Sequence, residues 1–377
     1  MSDRMKTSRL ELRLEAGIIA APSVLEADCK RAELAAYRAR LGRFEEVRQT
    51  LIGLHQRYDP RPQVAISAWL NFVEGLAGHF GDMDPAAPDK VLRSYALSSA
   101  AGLTQMRALS AAWLAHLDYL RTNVDSMTRY LGEALSLAED NNHSVLSRAN
   151  LVLAQAYHVA DNLDSALPWY HRARVHAVAD GDEATVSALI HNMAWLRAHN
   201  LRQKVFLNQE LDTRAAHVLL SAESTINFDN RIGATSLQSS GAVLRAQILT
   251  TLGREAEALE LFAAHIGNAL VEGRHRPRSD LMADMAWCRA KVGQIDQSLN
   301  DARRAEKYMD ARGQFDVRAL AHSRLSQVFE LLCFPEDAER HRVLAQSAWA
   351  DHSVLQRQIV AGLAEVVAAV DSKSQGR

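Results

Sequence analysis

Residues 147–180, SRANLVLAQAYHVADNLDSALPWYHRARVHAVAD, decide how the chain folds. Small and large residues recur at helical spacing on both sides of a polar pair, Asp161–Asn162. Residues three or four apart share a helix face. Leu153, Ala154 and Tyr157 therefore lie together on one helix, and Ala166, Tyr170 and Ala173 on the next. This is an antiparallel hairpin. Ala154 and Ala166 let the backbones approach, and Tyr157 and Tyr170 fill the space above and below. One hairpin cannot bury its apolar face alone, so neighbours must stack on it.

Those neighbours are visible in both directions. The small or apolar residue early in each second helix is Val47, Val91, Met127, Ala166, Ala258, Ser298 and Ala338. The steps are 44, 36 and 39 residues, then 92 across a degenerate fifth unit, then 40 and 40. The first hairpin is predicted at 25–41 and 44–57, with Leu41-Gly42-Arg43 as its turn, and Asp59-Pro60-Arg61-Pro62 breaks the chain after it. The second pair is 63–80 and 89–101, and the third 105–121 and 124–139. A fifth first helix spans 183–199. Beyond it 203–222 is helical and 223–231 polar and irregular. The remaining pairs are 232–252 with 255–271, 279–292 with 295–310, and 316–333 with 335–350, followed by one more amphipathic helix at 353–370. Pro168 falls within a second helix, where a cap at Asp164 and a slight kink are expected.

At the six positions Leu153, Ala154, Tyr157, Ala166, Tyr170 and Ala173 the chain resembles the tetratricopeptide repeat (TPR) family. Other units match it in part, at Leu34-Ala35, at Leu114-Ala115 with Leu131 and Ala134, at Ala246 with Ala258 and Phe262, at Met285-Ala286 with Ala302 and Ala305, and at Leu325, Phe329, Ala338 and Ala345. Leu252-Gly253-Arg254 and Val292-Gly293-Gln294 look like the family's inter-helix turn. Strict members repeat every 34 residues or so. The period nearer 40 is similar to the looser variants in bacterial regulators and sensor proteins. The resemblance implies an all-α fold, a right-handed superhelix (α-solenoid) of about eight TPR-like hairpins. Its parts would be an N-terminal arm or cap at 1–24, an array at 25–202, a junction at 203–231, a second array at 232–350, a capping helix at 351–370 and a disordered tail at 371–377.

Composition agrees with that class. A chain of 377 residues is too long for one ordinary core, and with 18 Gly and 8 Pro it is poor in helix breakers. The net charge of −2 lacks the basic excess of a dedicated nucleic-acid binder. The one basic cluster, Arg274-His275-Arg276-Pro277-Arg278, falls in a predicted loop. The three cysteines, Cys29, Cys288 and Cys333, are far apart and read as buried thiols in a reducing compartment. No apolar run approaches a bilayer span, and Ala16–Leu25 is a poor signal peptide. The expectation is a cytoplasmic protein with no membrane partner.

In TPR-like superhelices the first helices line a concave groove. The resemblance places Trp113, His116 and Tyr119, with Ala112, on that face in the third unit, and Arg148, Gln155 and His158, with Leu151, in the fourth. The later units would contribute Asn192, Gln247, Asp284 and Trp287, then Arg324 and Gln327. Amides pair with a peptide backbone and aromatics supply anchor area. Histidines number fifteen, but none has the spacing of a metal site. Asp280 and Asp284 share a face, and Asp280, near a helix start, is read as a cap. No nucleophile elbow, P-loop or dinucleotide fingerprint occurs. No cofactor is expected.

The function expected is a non-catalytic scaffold or regulatory adaptor that holds a protein or peptide in the groove. Its rivals are a peptide-gated signalling regulator and an enzyme or enzyme inhibitor with its active residues in 203–231. Self-assembly through the end helices is a further reading.

Overall fold

The computed structural model describes residues 8–81, 84–209, 219, 238–271, 278–311 and 313–375. Among these, sixteen helices and no strand are found. Ten lie in the N-terminal part: α1 Arg9–Ile19, α2 Val24–Arg40, α3 Phe44–Tyr58, α4 Val64–Phe80, α5 Ala87–Ala100, α6 Thr104–Leu120, α7 Val124–Leu137, α8 His143–Val159, α9 Leu163–Asp180 and α10 Glu183–Phe206. Six follow: α11 Gln238–Thr251, α12 Glu255–Val271, α13 Arg278–Lys291, α14 Ile295–Lys307, α15 Phe315–Leu331 and α16 Pro335–Gln375. The fold is an all-α helical repeat.

The chain divides into two compact units. The first holds the described residues up to Leu189 and those from Gln358 onward, and the second those between Ile190 and Arg357. Within each unit, sequence neighbours pair as hairpins: α4 with α5, α6 with α7 and α8 with α9 in the first, α11 with α12 and α13 with α14 in the second. First helices also pack on first helices of the next hairpin, α2 on α4, α6 on α8, and α13 on α15. This is the stacking that the small residues require. Val47, Val91, Met127, Ala166, Ala258, Ser298 and Ala338 are all buried, as are Leu153, Ala154, Tyr157, Tyr170 and Ala173.

Inside six of the hairpins the chain reverses through a residue of positive φ. These are Gly42, Thr122, Asp161, Gly253, Gly293 and Cys333. The last three recur every 40 residues, as the aligned small residues do. Glycine adopts this conformation without strain. At Thr122 and Cys333 an L side chain occupies it, at φ 58° and 64°.

Three expectations are corrected. The helices drawn at 335–350 and 353–370 are one continuous helix, α16, because nothing between them breaks the pattern: Trp349, His352, Leu355, Ile359, Leu363 and Val366 form one unbroken buried stripe. It runs on to Gln375, so the tail expected to be disordered is helical through that residue. The cap of α9 is Asn162, whose side chain accepts from the Ser165 N–H at 3.1 Å, while Asp164 sits in the first turn. Cys333, expected to be buried, is exposed at its turn. The polar stretch 223–231 and all of the basic cluster except Arg278 lie outside the described residues.

Helix α16 also qualifies the statement on bilayer spans. It contains an 18-residue window of mean hydropathy 1.3 and is long enough to cross a membrane, though only 22% of that window is buried. Its buried residues recur at three and four, the period of a helix laid along a protein surface.

Candidate functional site

The first unit brings the inner faces of α2, α4, α6 and α8 around a cavity of about 40 Å³. Its walls include Tyr37 and Arg40 from α2, Trp69 and Phe72 from α4, Trp113 from α6 and Arg148 from α8. Trp69, Phe72 and Trp113 meet edge to face, with centroids 5.8 and 6.4 Å apart in succession. The Arg148 guanidinium lies 3.9 Å from the Trp113 ring centroid, a close cation–π contact. Helix α1 closes one side with Leu10 and Leu14. It is held there by the Leu10 N–H donating to the Gly181 carbonyl and by Arg13 pairing with Asp180. Gly181 has φ 74°, and a β-carbon there would meet Arg9 at 2.8 Å, so this junction requires glycine.

The charges around the cavity are mostly matched. Arg40 donates to Asp182 at 2.6 Å and to the Thr185 hydroxyl at 2.9 Å. Burial pushes the Asp182 carboxyl up, but Arg40 and the Thr185 hydrogen bonds outweigh it and hold the group below its ordinary value. Arg148 is different. It is 4% exposed, its Nε has no hydrogen-bond partner, and no carboxylate of the described residues pairs with it. Burial pushes its pKa down to about 9, with Arg40 adding to the effect and Asp182 opposing it. It is still a cation at neutral pH.

Elsewhere in this unit the expected groove residues are distributed less simply. His116 lies 5.5 Å from Trp113 between ring centroids, and Tyr119 stacks on His116 at 6.5 Å. Gln155 is buried with its Oε1 unpartnered. His158 turns to its own hairpin, its Nδ1 3.0 Å from the Tyr170 hydroxyl. Ala112 and Leu151 are fully buried.

The second unit gathers five expected residues into one polar network. Gln247 on α11 donates to Asp280 at 2.8 Å and Asp284 at 3.4 Å. Arg202 on α10 donates to Asp280 at 2.9 Å and to Asp284 at 2.6 Å. Arg324 on α15 donates to Asp284 at 2.8 Å and to Gln327 at 2.7 Å. Its guanidinium lies 5.1 Å from the Trp287 ring and 4.7 Å from the Phe206 ring. Asp280, Asp284 and Arg202 are almost wholly enclosed. Burial raises the Asp280 pKa despite Arg202, while the two aspartates raise that of Arg202 against its burial. Asp280 stands in the first turn of α13, near the helix start as expected, and its carboxylate accepts from Arg202 and Gln247. Asn192 is half-buried on α10 and joins none of these contacts.

Tyr37, Arg40, Trp69, Phe72, Asp182 and Arg202 were not among the expected residues. Arg202 was missed because the fifth first helix was ended at 199, whereas α10 continues to Phe206. Arg40 and Asp182 are 142 residues apart, and no local pattern joins them.

Among the described residues no group of three His, Cys, Asp or Glu side chains is placed to hold a metal ion. A wider cavity, about 800 Å³, lies on the α3–α4 side of the first unit, lined by Phe44, Leu51, Ile52, His55 and Glu74.

No family model and no curated protein matches the chain. Among solved structures it is similar to the crystal structure of Rap protein complexed with competence and sporulation factor. The TM-score is 0.56 at 11% sequence identity, over 88% of this chain and 99% of that one. At that identity the likeness concerns the fold.

Proposed function

We propose that the chain is a non-catalytic peptide- or protein-binding scaffold or regulatory adaptor, acting in the cytoplasm, whose first-helix faces carry recognition. The observation that carries this reading is the collection of arginines and aromatic rings, Tyr37, Arg40, Trp69, Phe72, Trp113 and Arg148, on α2, α4, α6 and α8 around one cavity. A fold stabilised by packing alone would fill such positions with apolar residues, because burying polar groups costs free energy. The similar Rap structure was solved with competence and sporulation factor, and that supports a peptide as the class of ligand.

The test is capture of partners by the full chain and by a triple variant, Arg148→Ala, Gln155→Ala and His158→Ala. The variant is expected to lose at least one partner that the parent retains. Unchanged capture of every partner would remove these residues from the binding face.

A further inference from the structure

We propose that the outward face of the C-terminal half of α16 is the contact surface for a second copy of this chain, the two α16 helices pairing antiparallel across a two-fold axis at Ala364. The inference stands apart from the peptide-binding reading and concerns a different face of the molecule.

The inner side of this helix segment is already occupied. Ile359, Leu363 and Val366 are buried. The backbone at Gly362 lies so close to α7 that a β-carbon there would meet the Thr128 side chain at 3.0 Å and that of Val124 at 3.4 Å. The outer side is nevertheless apolar. Residues 353–370 hold two charged side chains, Arg357 and Glu365. At helical spacing Val360, Ala361, Ala364, Val367 and Ala368 fall on one face, opposite the buried stripe. Val360 is 40% exposed, the three alanines are exposed and Val367 is half-buried. A contiguous apolar face left to water marks a contact surface.

The charges at its two ends select the occupant. Arg357 and Asp371 lie on this same face, one heptad before and one after Ala364, each about 10 Å from it along the helix. Both are exposed, and neither has an ion-pair partner among the described residues. The face therefore reads as its own complement about position 364: 357 mirrors 371, 360 mirrors 368 and 361 mirrors 367. In a two-fold pair each residue comes level with its mirror position on the other copy. Antiparallel α16 helices thus set Arg357 of one copy beside Asp371 of the other, twice, with the apolar strip between them. The alanines let the helix axes approach to about 8–10 Å. Parallel pairing would instead set Arg357 against Arg357 and Asp371 against Asp371. A bilayer surface is met by helices whose polar border is rich in Lys and Arg; here the one arginine is offset by Glu365 and Asp371. The strip is about four turns long, small for a protein interface, so a reversible dimer with a Kd of roughly micromolar to tens of micromolar is expected.

The experiment is sedimentation velocity of the full chain from low micromolar to several hundred micromolar. The apparent mass should rise from that of one chain toward that of two. Ala364→Glu, at an exposed position, places two carboxylates together on the axis. It should hold the mass at one chain while melting like the parent. Arg357→Asp or Asp371→Arg alone brings like charges level and should weaken association at least tenfold, about the least that facing like charges cost. The two changes combined restore opposite charges and should recover the parent's self-affinity to within about threefold. This charge exchange carries the test by itself if Ala364→Glu fails to fold. A parent that stays one chain at every concentration overturns the proposal, as does association that survives Ala364→Glu. Weakening by both single changes without recovery in the double variant overturns it too, because the antiparallel register is then wrong. Co-sedimentation of a one-chain parent with phosphatidylcholine–phosphatidylglycerol vesicles, lost in Ala364→Glu, would assign the face to lipid and likewise overturn it.

Discussion

Removing the Asp284 carboxylate should be among the most damaging single changes in the second unit. Asp284 is fully enclosed and accepts from Arg202, Arg324 and Gln247. With Asp280 the network holds two aspartates and two arginines, so its charges cancel. Asp284→Ala leaves Arg324 with Gln327 alone and Arg202 with Asp280 alone. Breaking a buried ion pair by deleting one partner costs about 3–5 kcal/mol, because the remaining charge keeps its desolvation penalty. Urea unfolding followed by far-ultraviolet circular dichroism should show a loss of that size. Asp284→Ala combined with Arg324→Met removes both members of one pair and leaves the neutral Arg202–Asp280 pair. It should be less destabilised than the sum of the two single changes by about 0.5–3 kcal/mol. If Asp284→Ala unfolded within about 0.5 kcal/mol of the parent, the network would not be closed as described.

Packing, turns and pH give three further expectations. Ala154→Leu or Ala166→Leu, both at fully buried helix contacts, should each cost about 1–3 kcal/mol in thermal or chemical unfolding. At the hairpin turns, Gly293→Ala should cost about 1 kcal/mol of backbone strain alone, since its β-carbon would meet nothing within 4 Å. Thr122→Gly should gain a similar amount by relieving a positive φ. His322 Nδ1 lies 2.9 Å from His341 Nδ1, with Glu306, Arg318 and Arg340 nearby, and burial followed by the His341 charge pushes the His322 pKa down to about 4. The unfolded chain therefore takes up this proton first. Stability contributed above pH 6.5 is lost as the pH falls toward about 4, by at most ~3 kcal/mol. His322→Gln should flatten that part of the stability–pH curve, and an unchanged slope would contradict the assignment.

The repeat was legible in the sequence because its causes are local. Ala154 and Ala166 must be small wherever two helices cross, and Gly253 and Gly293 must be glycine-like wherever the chain reverses. These constraints recur at a fixed step and survive in a single sequence. Helix ends were less legible where nothing stops the helix: α10 and α16 each extend past the boundary read from pattern alone. The candidate face was legible in part. Gln247, Asp284, Trp287, Arg324 and Gln327 lie together because a common register on stacked first helices puts them there. Arg148 and Trp113 meet for the same reason. His158 does not follow the register, because the Tyr170 hydroxyl in its own hairpin is within reach. The pairing of Arg40 with Asp182, which leaves Arg148 as the unmatched cation, depends on distant segments and has no sequence signature.

The central claim is that ligands engage the first helix of each hairpin. Amide hydrogen exchange of the full chain, with and without a peptide that it retains from an immobilised pool of short random peptides, tests it directly. Slower exchange is predicted in α6 and α8, with α7 and α9 unchanged. Protection confined to α7 and α9, or peptide retained with no change in α6 and α8, would contradict the account.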